Sequence, residues 1–195
     1  MSKINEFSDF HPLNRGEWRD WLTENYAKSS GIWFVYFKKQ TGKPRVSYDE
    51  AVEEALCFGW IDSLPRKFDE ERSKLLFTPR KPKSVWSKLN KMRIEKLIKN
   101  GLMTKSGLVK IEAAKKDGSW NILDDSDNLK MSADLVQELK AEKEAEKNFN
   151  AFSDSIKRTI LAWIGSAKRA ETRKARIIKT VEMAKQNKRA NFDKE

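Results

Sequence analysis

Apolar side chains recur along this chain at two spacings, and the spacing names the elements. Over residues 15–29, Trp18, Trp21, Leu22 and Tyr26 fall on one face at helical spacing, and Ser29-Ser30-Gly31 stops the helix. Residues 32–37 (IWFVYF) are an unbroken aromatic and β-branched run, which predicts a strand buried on both faces. Gly42 and Pro44 predict a turn over 40–45. Ser47-Tyr48-Asp49-Glu50 has the capping-box pattern, serine at the cap and glutamate three later. The helix it opens carries Ala51, Val52, Ala55, Leu56 and Phe58, and Gly59 ends it. Residues 60–68 and 73–78 predict two strands joined by the charged turn 69–72, a hairpin. A polar, proline-spaced stretch follows over 79–84.

The second half is helical. Ser84 or Ser87 caps a basic helix running to Asn100, closed by Gly101. Thr104 opens another to Asp117, closed by Gly118. Residues 121–132 are acidic and polar and predict a linker; helices are expected over 132–147, 153–168 and 171–188. Ile156, Ile160, Trp163, Ile164 and Ala167 make one stripe, and Ile177, Ile178, Val181 and Ala184 another, which pair as a helical hairpin. No internal repeat is visible. The expected class is α+β: a domain over 1–120 with a small antiparallel sheet, an acidic linker over 121–131, and a helical module over 132–195.

Composition narrows the chemistry. The chain has 195 residues, and its seven Trp and ten Phe supply a real core. A single Cys (Cys57) excludes an internal disulfide framework, and with a single His (His11) a structural zinc site is not expected. No apolar run approaches the ~18 residues that span a membrane, so no membrane insertion is expected. The opening MSKINEFSDF lacks an apolar signal core, so the expected location is the cytoplasm. No cofactor and no metal are called for.

The net charge is +11 and unevenly spread. Residues 66–116 hold 16 basic and 5 acidic side chains, net +11; residues 121–155 hold 4 and 9, net −5; residues 156–190 hold 11 and 2, net +9. Either the acidic segment docks on a basic one within the molecule, or a basic block faces an anionic partner.

The residues with the strongest chemical pattern lie over 77–90. Arg80, Lys81 and Lys83 precede a helix start, with Pro82 keeping the approach extended. The first amides of a helix lack internal acceptors and carry the positive end of its dipole, and cations beside such an end make an anion site. Thr78, Ser84 and Ser87 add hydroxyls for phosphate oxygens; with Trp86 and Asn90 they complete the expected ligand-binding set. The alternative is that the serines only cap the helix and the cations are solvated.

Asp62 is the candidate catalytic residue. Period two from Trp60 puts Trp60, Asp62 and Leu64 on one face. An acid between two large apolar side chains is either paired or a general acid or base, and Arg80 is its partner if the hairpin register allows. Cys57 falls between Glu53 and Glu54, whose charges disfavour a thiolate; a Cys57–His11 dyad requires the fold to bring the two together. Lys88, Lys91, Arg93, Lys96 and Lys99, or Arg173, Lys174, Arg176, Lys179 and Lys185, present basic helix faces to a phosphate backbone or to solvent. Trp33, Trp60, Trp86 and Trp120 are base-stacking candidates or core. There is no glycine-rich phosphate loop.

EALCFGWIDS (54–63), FTPRKPKSVWSKLN (77–90), LIKNGLMTKSGLVKIEAAKKDGSW (97–120) and SDSIKRTILAWIGSAKRAETRKARIIKTVEMA (153–184) stand in an order that resembles the YdeI/OmpD-associated, or bacteriocin-protection, family. The resemblance runs from about Trp18 to Ala184. It implies a bacterial cytosolic protein, an N-terminal domain grouped with YjbR/CyaY-like folds, relatives carrying a DNA-binding label, and a link to antimicrobial-peptide resistance. It implies no catalytic residues. The expected function is an anion-binding module for nucleic acid or a phosphorylated small molecule. The alternatives are an enzyme on a small anionic substrate using Asp62, with Arg80 and Ser87 as ligands, or a factor that binds a protein partner through its C-terminal helices.

Overall fold

The computed structural model describes residues 6–193. It divides into two compact units: one takes the chain up to Ser84 together with Leu89–Trp120, the other Val85–Lys88 together with the chain from Asn121 onward.

The first unit begins with β1 (Asp9–Phe10), α1 (Arg15–Asn25), β2 (Ile32–Phe37), α2 (Tyr48–Cys57), β3 (Trp60–Lys67) and β4 (Arg72–Pro79). The sheet order is β1-β2-β4-β3. β2, β4 and β3 pair antiparallel, but β1 runs parallel to β2, so the sheet is mixed rather than purely antiparallel. The two residues of β1 carry no periodicity of their own. They are held because the Trp33 amide donates to the Ser8 carbonyl at 3.0 Å, and because the Phe10 ring packs against Trp18 (6.3 Å) and Trp21 (5.8 Å).

Trp18 of α1 centres the core. Its ring lies 4.9 Å from Phe34 of β2 and 5.3 Å from Phe77 of β4, and its indole N–H donates to the Ala51 carbonyl at 3.0 Å, tying α1 to α2. The Ser47–Glu50 capping box is present in full. α2 is not amphipathic in place: every residue from Ala51 to Cys57 is buried, Glu53 and Glu54 included. The carboxylates are tolerated because cations close over them. Arg15 reaches Glu54 (2.6 Å) and Glu53 (2.9 Å), Arg19 reaches Glu54 (2.6 Å), and Lys96 reaches Glu53 (3.3 Å). Buried charge survives only when paired in this way.

α3 (Lys88–Lys99) and α4 (Lys105–Asp117) follow. Thr104 caps α4, as its sequence position predicts, and its amide and hydroxyl both donate to the Cys57 carbonyl, at 3.2 and 2.6 Å. The start of α4 thereby caps the end of α2.

In the second unit the acidic stretch expected as a linker carries a helical turn, α5 (Asp124–Asp127). The helix expected over 132–147 breaks into α6 (Ala133–Ala141) and α7 (Lys143–Ala151) at Glu142, whose backbone leaves the helical region (φ −128°, ψ 88°). The break resets the helical phase, so Leu135 and Leu139 of α6 and Ala145 and Phe149 of α7 all enter one core. α8 (Asp154–Gly165) and α9 (Ala170–Lys185) complete it through Ile160, Ile164, Ile177, Val181 and Ala184. The expected two-helix hairpin is therefore part of a four-helix arrangement. Arg173 pairs with Asp134 (2.9 Å) and Lys185 with Glu142 (3.2 Å), so acidic side chains of this unit neutralise part of basic α9. Among the described residues no helix is long and apolar enough to cross a membrane.

Candidate functional site

The residues expected to bind an anion divide between the units. Thr78, Arg80, Lys81, Lys83, Ser84 and Asn90 belong to the first, Trp86 and Ser87 to the second. Thr78 pairs with Ile61 in the sheet. Lys81 is exposed. Lys83 has a left-handed backbone (φ 60°), and its amide donates to Asp117, which with Ser119 holds that carboxyl below its usual range. The Ser84 amide closes a turn on the Lys81 carbonyl at 3.3 Å. Trp86 is buried and Ser87 half-buried. The Lys88 amide, the first of α3, donates to the Asp127 carboxylate at 3.0 Å, so a carboxylate of the chain already stands at this helix start.

What the first unit assembles is a cluster at one end of the sheet. A bulge between Asp62 and Pro65 interrupts β3, so Asp62 pairs with Phe77 and Pro65 with Leu75. The period-two reading from Trp60 therefore holds as far as Asp62 and is reset by the bulge before Pro65. The Tyr48 hydroxyl, at the start of α2, donates to Asp62 Oδ2 at 2.9 Å. The Asp62 charge also acts on Arg80, which is 4% exposed. Burial brings the Arg80 guanidinium down to about 10, and Asp62 opposes the fall. On the other side of Tyr48 lies Arg93 of α3, 9% exposed, its guanidinium carbon 5.8 Å from the ring. Arg93 pairs with Asp49 and donates to Asn90 Oδ1 at 2.9 Å. Burial and the hydrogen bond to Asp62 push Tyr48 up to about 12.

Tyr48, Asp49 and Arg93 were missed as site residues. Tyr48 and Asp49 read as the first turn of a capped helix, and Arg93 as one of several cations on a basic one. The only available signal was the i, i+3 pair of Asn90 and Arg93.

The Tyr48 contact has a spectroscopic consequence. In an alkaline titration followed by tyrosinate absorbance, Tyr48 is expected to ionise near pH 12. That phase is absent in Tyr48→Phe and moves toward pH 10 in Asp62→Asn. A raised acid stabilises the fold fully below its unfolded pKa of ~10 and loses that contribution as pH rises from about 10 to 12.

Cys57 is fully buried, and burial followed by the Glu54 charge pushes its thiol up to about 11. His11 lies against Phe37 (4.8 Å), and burial followed by the Arg72 charge lowers its pKa. No contact joins it to Cys57 among the described residues. The native thiol is expected to react with an aromatic disulfide at least 100-fold more slowly than the urea-unfolded thiol, because little thiolate forms and none is accessible. Equal rates would contradict this geometry. No cluster of metal-ligating side chains occurs among the described residues.

The fold and cluster define a basic α+β protein with a helical C-terminal module. Residues 10–110 match the family described as Domain of unknown function (DUF8412), and the chain belongs to that family. Residues 128–187 match the family described as Bacteriocin-protection, YdeI or OmpD-Associated, so the C-terminal module is of that type. Of the stretches that carry the sequence resemblance, 153–184 lies inside the second match, while 54–63 and 77–90 lie inside the first. No curated protein and no solved structure matches the chain.

Proposed function

We propose that the chain is an anion-binding protein of the YdeI/OmpD-associated type, and that the phosphates of nucleic acid are taken on the first unit beside Arg80. The carrying observation is a surplus of cations that the fold does not cancel. Most of the few acids over 66–116 are spent locally: Asp69 on Arg72, Glu70 on Lys67, Glu71 on Lys43 and Glu112 on Lys115. Asp9, Asp49 and Glu53 take Lys74, Arg93 and Lys96. Lys81, Lys99, Lys105, Lys110 and Lys116 make no ion pair among the described residues. Uncompensated cations on one unit are the electrostatic footprint of a phosphate ligand. The bacteriocin-protection description of the C-terminal match supports reading this binding as part of a resistance-associated role, with the cytoplasm as the proposed location.

Arg80→Ala with Lys83→Ala is expected to weaken binding of a labelled oligonucleotide about tenfold and to flatten its salt dependence. Since Arg80 is buried, Lys81→Ala with Lys99→Ala provides a surface pair with the same expectation. Unchanged affinity in both pairs, with folding intact, would sink the proposal.

One observation favours a second reading, an enzyme with Asp62 as general acid or base. Asp62 accepts from the Tyr48 hydroxyl, and its charge acts on Arg80. A folded Asp62→Asn protein with full activity on any substrate found for the wild type would count against it.

A further inference from the structure

A pocket of about 380 Å³ opens in the first unit, and none of Tyr48, Asp62, Arg80 and Arg93 lines it. It lies among the end of α1, the turn from α2 into β3, the end of β4 and the first two turns of α4. Its size falls in the ~300–1,000 Å³ range of small-molecule sites.

Two kinds of wall meet in it. One is aromatic and fixed. The Trp60 indole N–H donates to the Tyr26 carbonyl at 3.1 Å, the Trp60 ring is edge-on to Trp21 at 5.8 Å, and Tyr26 lies 5.7 Å from Phe58. The other is cationic. Lys105 and Lys110 both line the pocket, and neither makes an ion pair, hydrogen bond or ring contact among the described residues. No acidic residue lines the pocket. Lys110 is held by its stem. Gly59 (φ +75°) has no side chain, and a Cβ there would fall 2.7 Å from Lys110 Cγ, so the lysine chain lies across that backbone. Ser106 is committed to the scaffold, within 3.2 Å of the Phe58 carbonyl and 2.8 Å of the Thr104 hydroxyl. The anchored wall and the two lysines therefore stand ready without rearrangement of the α2–α4 junction.

We propose that this pocket is a second binding site, for a small molecule that joins an aromatic ring to a carboxylate or phosphate. The ring lies against Tyr26, Pro79 and Val109, backed by the buried Phe58 and Trp60, and the anion meets Lys105 and Lys110. Ring burial supplies the hydrophobic contribution. The two ammonium groups supply charge-assisted hydrogen bonds and reject neutral analogues.

The test is calorimetric titration of the whole chain with phenylacetate and phenyl phosphate, with benzyl alcohol and inorganic phosphate as controls lacking one half of the ligand. At least one of the two anions is expected to bind saturably in the millimolar range or tighter, and which binds better names the anionic group. Each control is expected to bind at least tenfold more weakly. Lys105→Gln with Lys110→Gln is expected to weaken the aromatic anion tenfold or more, and Val109→Trp to abolish its binding by filling the pocket. The proposal is overturned if neither aromatic anion saturates, if inorganic phosphate binds equally well, or if the double lysine variant binds like the wild type. Oligonucleotide binding is read separately through the Arg80 and Lys81 variants, so failure here leaves that reading untouched.

Discussion

Replacing Trp18 by alanine is expected to destabilise the first unit by roughly 3–5 kcal/mol, the range for removing a large aromatic from a packed core. Trp18 is fully buried. It touches both central strands through Phe34 and Phe77, stacks on Trp21 at 5.4 Å, and holds α1 to α2 through its indole N–H. Alanine removes the rings' partner and also the indole hydrogen bond to the Ala51 carbonyl, a further net cost of about 0.5–1.5 kcal/mol. Trp18→Phe helps separate these effects, since it keeps most of the ring volume while removing the donor. Urea unfolding followed by circular dichroism and by near-ultraviolet signal is the measurement. The transition of the alanine variant should move to markedly lower urea, with the phenylalanine variant between. Identical midpoints for all three proteins would show that the α1–sheet core is not as described.

Gly107→Ala is expected to destabilise, although helix propensity alone predicts the reverse. Alanine inside a helix is favoured over glycine by ~1 kcal/mol. At Gly107, however, a Cβ would fall 2.3 Å from the Cys57 carbonyl oxygen and 2.8 Å from its carbon. Those are backbone atoms at the end of α2, and the same carbonyl accepts both bonds from Thr104. Neither helix end can yield without breaking the other's cap. Overpacking of this kind costs typically 1–3 kcal/mol, which outweighs the propensity gain. A lowered melting temperature for Gly107→Ala is the expected result. A raised one would mean that α4 stands further from α2 than the close approach requires.

Much of the fold was legible because the apolar pattern was strong where the elements are regular. Ile32–Phe37 and the hairpin of β3 and β4 follow from β-branched and aromatic runs around a charged turn. The Ser47 capping box and the Thr104 cap are local chemistry and appear where their spacing put them. The pattern failed where distant residues decide. β1 is too short to show a period and exists because Trp18, Trp21 and Trp33 receive it. Glu53 and Glu54 read as a polar face, but cations from α1, some 35–39 positions earlier, close over them. The break at Glu142 answers the need of two apolar stripes to share one core. The candidate site shows the same division. Asp62 and Arg80 were singled out by their own neighbours in sequence, and their coupling turned on a hairpin register that the structure supplies. Tyr48 and Arg93 reach that cluster only through the packing of α2 and α3, which no local motif encodes. Gly107 is a further case: its spacing made it an ordinary helix-interior glycine, and its role lies in a backbone 50 positions away.

The most direct test of the central claim is fluorescence anisotropy of labelled single- and double-stranded DNA and RNA oligomers against the whole protein, from roughly 50 to 200 mM salt. Each phosphate neutralised by a Lys or Arg contributes about −0.9 to the log–log slope on duplex DNA and about −0.7 on single strands. The account predicts saturable binding with a slope steeper than about −3, supplied by the cations that the first unit leaves without acids. Absence of saturable binding at the lowest salt, or a slope near zero, would contradict it.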